Sequence, residues 1–384
     1  MPAEKWQISG GLYREPRGGT GLTKALHWVL PQHWQRAWRD NGVFRSIADG
    51  VAVAMGATMC IANPKLALRF AKLKQFRSIH PYGPYPSQVV EIVAHSSSCP
   101  RGVGRRKSSV TGADKMLYGI PAGSTGQALS DKLFVFVHGG AWGSGIPLFY
   151  VLLAESLIEA GFAVLLLGYR VYPDGDTTDQ VHDVERGLRW IHTNRRRVGL
   201  KADGRVYLAG HSSGAHISAL YLLGRAAKPQ RHRFDPKVSG FIGLSGVYDI
   251  RKHYIYESRR GVHEISPMKA SNGGVYRQLL EYSPSEVLHS RFNRHTASHL
   301  PPSLIIHGTR DETVPVSSSV EFAAELASLG VPVVVRFLPE KNHFDTVGQL
   351  MLGTGSETER AIVEFCDAHH APSSAVAGSF TSRL

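Results

Sequence analysis

Gly204-Arg205-Val206-Tyr207-Leu208-Ala209-Gly210-His211-Ser212-Ser213-Gly214-Ala215-His216 reads as a short apolar strand, a tight turn and the start of a helix. Residues 205–209 form the strand, Gly210-His211-Ser212-Ser213-Gly214 fits G-x-S-x-G, and 215–223 is the helix that follows. A serine on such a turn takes a strained backbone. The chain segments on either side of it pass so close that side chains two positions before and after would collide, which accounts for Gly210 and Gly214. The turn lifts the Ser212 hydroxyl clear of the sheet, beside the free N–H groups of a helix N-terminus. Strings of Gly and Ser also occur in ordinary loops, so the surrounding chain decides how this one is read.

Upstream, 133–137 is an uninterrupted apolar strand of the kind buried in a parallel sheet, and it empties into His138-Gly139-Gly140-Ala141-Trp142-Gly143-Ser144-Gly145. Glycines at a strand end let backbone N–H groups approach a ligand with no side chain in the way. Helix 149–160, strand 163–167 and a helix carrying Val181, Val184, Leu188 and Ile191 on one face lead to the elbow strand. Beyond it come strand 238–244, ending in Ser245-Gly246-Val247-Tyr248-Asp249, and strand 303–307. This alternation predicts a mostly parallel central sheet with helices on both faces, whose ligands sit at the carboxyl ends of the strands. The stretch 251–300, rich in Tyr, His, Arg and Ser, breaks the rhythm and is expected as a cap or lid, with a plain surface excursion as the alternative.

A serine hydroxyl needs a base to take its proton, and an imidazole needs an acid to fix its tautomer. After strand 303–307 comes Gly308-Thr309-Arg310-Asp311-Glu312, so Asp311 is the first carboxylate beyond a buried strand, with Glu312 as the fallback. Helix 317–329 and strand 331–338 separate it from Pro339-Glu340-Lys341-Asn342-His343. One helix-strand unit therefore puts Asp311 and His343 on adjacent strand-end loops, in the chain order Ser, Asp, His. His211 and His307 are expected to shape the site, and Trp142 and His211 are candidate substrate-binding residues. His369-His370 lacks further ligands at usable spacing, so no metal and no cofactor is expected.

These strings together resemble the α/β-hydrolase superfamily, specifically its small carboxylesterase branch that includes isoprenylcysteine methylesterases and kynurenine formamidases. The resemblance runs from about 82 to 370 and rests on His138-Gly139-Gly140-Ala141-Trp142, Gly210-His211-Ser212-Ser213-Gly214-Ala215-His216, Leu244-Ser245-Gly246-Val247-Tyr248-Asp249, His307-Gly308-Thr309-Arg310-Asp311 and the loop of His343. It implies a Ser212, His343, Asp311 triad, with the N–H groups of Gly139, Gly140 and Ser213 as oxyanion donors. Ala141 stands where the third glycine of the family's HGGG loop would be. The implied chemistry is acyl transfer: Ser212 attacks a carbonyl, His343 takes and returns the proton, and water cleaves the acyl-enzyme. The substrate is a small ester or related amide. A prenylcysteine methyl ester, an arylformamide such as N-formylkynurenine and a simple short-chain ester all stay open, and a hydrolase-fold binding protein without catalysis is the rival from another class.

Outside that span the sequence is less specific. The chain has 384 residues, 42% of them hydrophobic and 20% charged, and three widely spaced cysteines, Cys60, Cys99 and Cys366, which argue against a disulfide framework. Its division is read as a helical N-terminal extension over 1–80, a catalytic domain over 81–370 and a flexible tail over 371–384. Of the net charge of +13, residues 1–107 hold 16 Lys and Arg against 5 Asp and Glu, or +11. Such a basic front suits solvation or an anionic membrane surface, and no nucleic-acid motif accompanies it. Residues 22–38 suit amphipathic helices, and 51–62 is a run of twelve residues without a charge, bracketed by Asp49 and Pro64 and too short to span a bilayer alone. It is expected to pack on the core or lie at an interface. No strand is expected before residue 80, and no secretory signal is read at the start. A Ser-, Gly- and Arg-rich loop is expected over 96–113, and a strand over 115–120. The last three residues, Ser382-Arg383-Leu384, resemble the S-K-L peroxisomal address, with a cytoplasmic or membrane-associated location as the alternative.

Overall fold

A computed structural model describes residues 32–94, 129–229 and 237–369. The expected loop over 96–113, the strand over 115–120, the beginning of the 22–38 helix and the C-terminal tail with Ser382-Arg383-Leu384 lie outside the described residues.

The chain builds one sheet from β1 (Arg77–Pro81), β2 (Val89–Val93), β3 (Ser130–Val137), β4 (Phe162–Leu167), β5 (Leu200–His211), β6 (Val238–Leu244), β7 (Ser303–Gly308) and β8 (Val333–Leu338). Their order is β1-β2-β4-β3-β5-β6-β7-β8. The β1–β2 and β2–β4 pairs are antiparallel, and every pair from β4 onward is parallel. β3 shows why this sequence makes a central strand. Leu133, Val135 and Val137 enter the core on one face, Phe134 and Phe136 the core on the other, and all five are buried. Helices cover both faces. The Thr177–Thr193 helix is closed at its start by a capping box between Asp176 and Asp179 and buries Val184, Leu188 and Ile191 as its periodicity predicts. With the parallel sheet and its helix layers, this is the α/β-hydrolase fold.

Three elements differ from the sequence reading. β1 is a strand where none is expected: only two of its five residues are buried, so it has too little apolar alternation to announce itself, and its place comes from pairing with β2 in the register Arg77↔Val93 to Pro81↔Val89. The hydrolase sheet thus begins at Arg77, ahead of the expected boundary at 81. The expected helix 149–160 is divided into a 3-10 turn, Pro147–Tyr150, and a helix, Leu153–Glu159. The uncharged run 51–62 is the second half of a longer helix, Val43–Ala62, on which Ile47, Val51, Val53 and Ile61 are exposed. The Pro64–Gln75 helix, capped by Asn63, is tied in instead: Leu66 and Leu73 enter the core beneath it, and Arg69 pairs with Glu155. Among the described residues no helix is long and apolar enough to cross a membrane.

The segment between β6 and β7 holds four short helices, Ile250–Arg260, Met268–Ser271, Pro284–Arg291 and Arg294–Ala297. It reaches the strand ends at several points. Pro267 abuts Gly143, and the Tyr282 carbonyl meets His216 of the elbow helix.

Candidate active site

β5 ends at His211, and the Ser213–Ala227 helix starts two residues later, leaving Ser212 alone in the turn with φ 54° and ψ −122°. A non-glycine residue rarely takes a positive φ, and holding one costs on the order of 1–3 kcal/mol that the surroundings must supply. Those surroundings are visible. The Ser212 N–H donates to the Leu244 carbonyl at 2.9 Å, fastening the turn to the end of β6. The flanking glycines are required by backbone, as expected: a Cβ on Gly210 would lie 2.5 Å from the Gly214 carbonyl, and one on Gly214 would lie 2.3 Å from the Val137 carbonyl. The second clash shows that the elbow helix is pressed onto the end of β3. Because the helix begins at Ser213, its first N–H groups have no intrahelical acceptor.

The loop after β3 closes on the same point. A Cβ on Gly139 would come within 2.9 Å of His211 and 3.1 Å of the Ser212 Cβ. Ala141 and Trp142 both take left-handed backbone, φ 50° and 61°, and the turn closes through bonds from the Gly143 and Ser144 N–H groups to the Gly140 carbonyl. Ser144 adds its hydroxyl to the same carbonyl at 2.8 Å.

Asp311 and His343 meet. The His343 Nδ1–H donates to Asp311 Oδ2 at 2.7 Å, which leaves Nε2 as the unprotonated nitrogen. Asp311 is buried, and its other oxygen accepts from the N–H groups of Thr313, at 2.9 Å, and Val314, at 2.8 Å. Burial acts to raise its pKa. The charge of His343 and the hydrogen bonds from His307 and His343 outweigh that and hold the carboxyl far below the usual carboxylate range. His307 Nε2 lies 3.0 Å from Asp311 Oδ2 and 3.0 Å from the Val314 carbonyl, and its Nδ1 faces the Ser319 hydroxyl at 2.7 Å. It is therefore a buried donor to Asp311. Glu312 is exposed, and its carbonyl accepts from Tyr256. Among the described residues no hydrogen bond joins the Ser212 hydroxyl to His343; that contact is often long before a substrate is bound.

His211 links the two groups. Its ring lies 4.8 Å from that of His343, centroid to centroid, and its Nε2–H donates to the His343 carbonyl at 3.0 Å. Burial, with the His343 charge second, lowers its pKa to about 3, so it is neutral. Trp142 is likewise buried. Its indole N–H donates to His216 Nδ1 at 2.9 Å, which obliges the His216 Nε2–H to donate to the Tyr282 carbonyl at 2.7 Å. Both candidate substrate-binding side chains thus have protein partners and tie the strand-end loops together. His138 is buried too: its pKa falls to about 4, and its ring stacks on Tyr169 at 4.3 Å. Among the described residues no three His, Cys, Asp or Glu side chains gather as metal ligands would.

One set of contacts has no counterpart in the sequence reading. The Gly145 N–H donates to the Asp49 carboxylate at 2.8 Å, Tyr172 donates to Asp40 at 2.7 Å, Arg45 pairs with Asp174 at 2.7 Å, and Arg36 pairs with Glu264 at 2.8 Å. The Gln32–Asp40 and Val43–Ala62 helices therefore rest on three strand-end loops. Local sequence carried no signal for this, since each partner is more than 90 positions away.

The fold and this strand-end cluster define an α/β-hydrolase. Residues 121–326 match the BD-FAE family, and the chain belongs to it. That match takes in Ser212 and Asp311 and stops before His343. The chain is 29% identical over 231 residues to a probable isoprenylcysteine alpha-carbonyl methylesterase of Arabidopsis thaliana, an alignment covering 59% of this chain and 47% of that protein. It is 25% identical over 270 residues to the kynurenine formamidase of Danio rerio, covering 68% and 84%. Among solved structures, esterase B from Lactobacillus rhamnosis superposes with a TM-score of 0.57 at 17% identity, covering 84% of this chain and 95% of that one, a likeness of fold. The chain spans about half the length of the methylesterases it matches.

Proposed function

We propose that the protein hydrolyses a carboxylic ester through Ser212, His343 and Asp311. The observation that carries the reading is the 2.7 Å bond from His343 Nδ1 to a buried, doubly N–H-bonded Asp311, on the same strand-end face as a serine in a strained elbow. Asp311 fixes the tautomer in which His343 Nε2 is free to take the serine proton. Ser212 attacks the ester carbonyl, the leaving alcohol receives that proton from His343, and water activated by His343 releases the acid and restores the serine. The N–H groups of Gly139, Gly140 and Ser213 are assigned to the oxyanion, where each donor contributes roughly 3 kcal/mol to lowering the barrier.

Within this class a prenylcysteine methyl ester is the favoured substrate, supported by the methylesterase relatives. An arylformamide is the second reading, supported by the formamidase alignment, which covers 84% of that relative. The exposed row of Ile47, Val51 and Ile61, followed by exposed Lys65, Lys72 and Lys74, supports association with an anionic membrane surface, to be tested by cosedimentation with anionic against neutral vesicles. Import into peroxisomes through Ser382-Arg383-Leu384 is proposed on sequence alone, and a fluorescent fusion lacking Leu384 tests it. The function itself is tested by hydrolysis of p-nitrophenyl acetate, N-formylkynurenine and a prenylcysteine methyl ester beside Ser212→Ala. Turnover abolished by the substitution is the expected result. No turnover by folded wild-type protein on any of the three points to the binding-protein alternative or to a substrate outside this panel.

A further inference from the structure

The N-terminal helices touch the glycine loop of the candidate site at its far end. Residues 139–145 leave β3 as a glycine-rich loop with two consecutive left-handed non-glycine residues, Ala141 and Trp142. Left to local preference, such a loop samples many conformations. Its middle is closed by the bonds to the Gly140 carbonyl, and its far end is held from outside. The Gly145 N–H donates to Asp49 Oδ1 at 2.8 Å, across 96 positions of sequence. Gly143 is wedged between two neighbours: a Cβ there would lie 2.4 Å from Pro267 and 3.4 Å from the Phe44 ring. Phe44 and Asp49 sit on the same helix, and Arg45 between them is paired with Asp174. The helix is thus fixed to the body on one side and presents a carboxylate to the glycine loop on the other.

We propose that Asp49 is a positioning residue for the oxyanion loop: by accepting the Gly145 N–H it holds 139–145 in the turn that aims the Gly139 and Gly140 N–H groups at the space beside Ser212. This rests on the hydrolase reading above and extends the site to a helix outside the family match at 121–326. A carboxylate suits the task, because a charged acceptor makes a stronger bond to a backbone N–H than a neutral one. An asparagine would keep an acceptor oxygen at the same point, whereas an alanine would leave the Gly145 N–H without one.

Two measurements on the full chain test it, with Asp49→Asn, Asp49→Ala and, as a control that loosens the helix without touching the loop, Arg45→Ala. In steady-state hydrolysis of p-nitrophenyl acetate, Asp49→Ala lowers kcat about tenfold, a fraction of the roughly 10²–10³-fold lost when an oxyanion donor is removed outright, and KM moves less than about twofold. Asp49→Asn recovers most of the loss. Binding of a trifluoromethyl ketone, which presents an oxyanion to the loop, weakens by the same factor as kcat/KM falls. The second measurement needs no turnover: exchange of the Gly145 amide is slow in the wild type and in Asp49→Asn and at least several-fold faster in Asp49→Ala. Equal exchange in all of them overturns the proposal, as does an Asp49→Ala enzyme whose kcat matches the wild type or whose loss is equalled by Asp49→Asn and Arg45→Ala. A wild type with no activity above Ser212→Ala counts against the hydrolase reading, and the exchange measurement still decides the bond.

Discussion

On the side of Ser212 that faces β6, β7 and β8, the groups are held by what lies next to them in the chain. Asp311 takes its N–H bonds from residues two and three positions on, and His343 follows β8 by one short loop. On the side that faces β3, the glycine loop closes on its own Gly140 carbonyl and is held besides by distant residues, Asp49, Phe44 and Pro267. On the proposed assignment, the acid–base half is built by local turns on a parallel sheet, and the oxyanion half by its own turn together with tertiary contacts. The proposed site therefore has a half held by near neighbours in the chain and a half whose geometry also depends on distant packing.

Substitutions that break the local half should have the largest effect. On the proposed mechanism Ser212→Ala lowers kcat on the order of 10⁴-fold or more, read in steady-state kinetics on whichever ester is turned over. Asp311→Asn is expected to lower kcat roughly 10³–10⁴-fold with KM little changed, because an amide N–H facing His343 Nδ1 favours the wrong tautomer. Next in size comes the about tenfold loss from Asp49→Ala, with its rescue by Asn. If Asp49→Ala proved as damaging as Asp311→Asn, the division between the halves would fail.

A packing test sharpens the contrast. Gly214→Ala forces a Cβ against the Val137 and His138 carbonyls, so a loss of roughly 1–3 kcal/mol in urea-unfolding stability is expected. Gly348→Ala, with open space around it, should change stability by less than about 1 kcal/mol. A further test is in pH. His138, His211 and His216 are buried and neutral, with pKa values lowered to about 4, about 3 and about 4. The unfolded chain takes up protons near the ordinary value of 6.5 while the folded chain does not, so the stabilisation is full above about 6.5 and is lost as pH falls toward 4. A urea midpoint that declines between pH 6.5 and 4 is the expected result, and a flat profile would contradict it.

How much of this is legible in the sequence follows the same division. Ser212, Asp311 and His343 stand out because each follows a strongly apolar strand, and the parallel sheet puts those strand ends on one face. The necessity of Gly210 and Gly214 is also readable, since the elbow leaves no room for a Cβ. β1 is not, because it is an edge strand whose place is decided by its neighbour. Nor is Asp49: in the sequence it merely precedes an uncharged run, and the contact that gives it meaning depends on how the helix docks. His307 is half-legible, being suggested by its strand-end place, with its bond to Asp311 visible only in three dimensions.

The most direct test of the central claim is labelling with a fluorophosphonate followed by peptide mass spectrometry. An adduct on Ser212 that forms within minutes and is lost in Asp311→Asn and His343→Ala is the predicted result. No adduct on Ser212 in folded wild-type protein, or one formed equally fast without His343, would contradict the account.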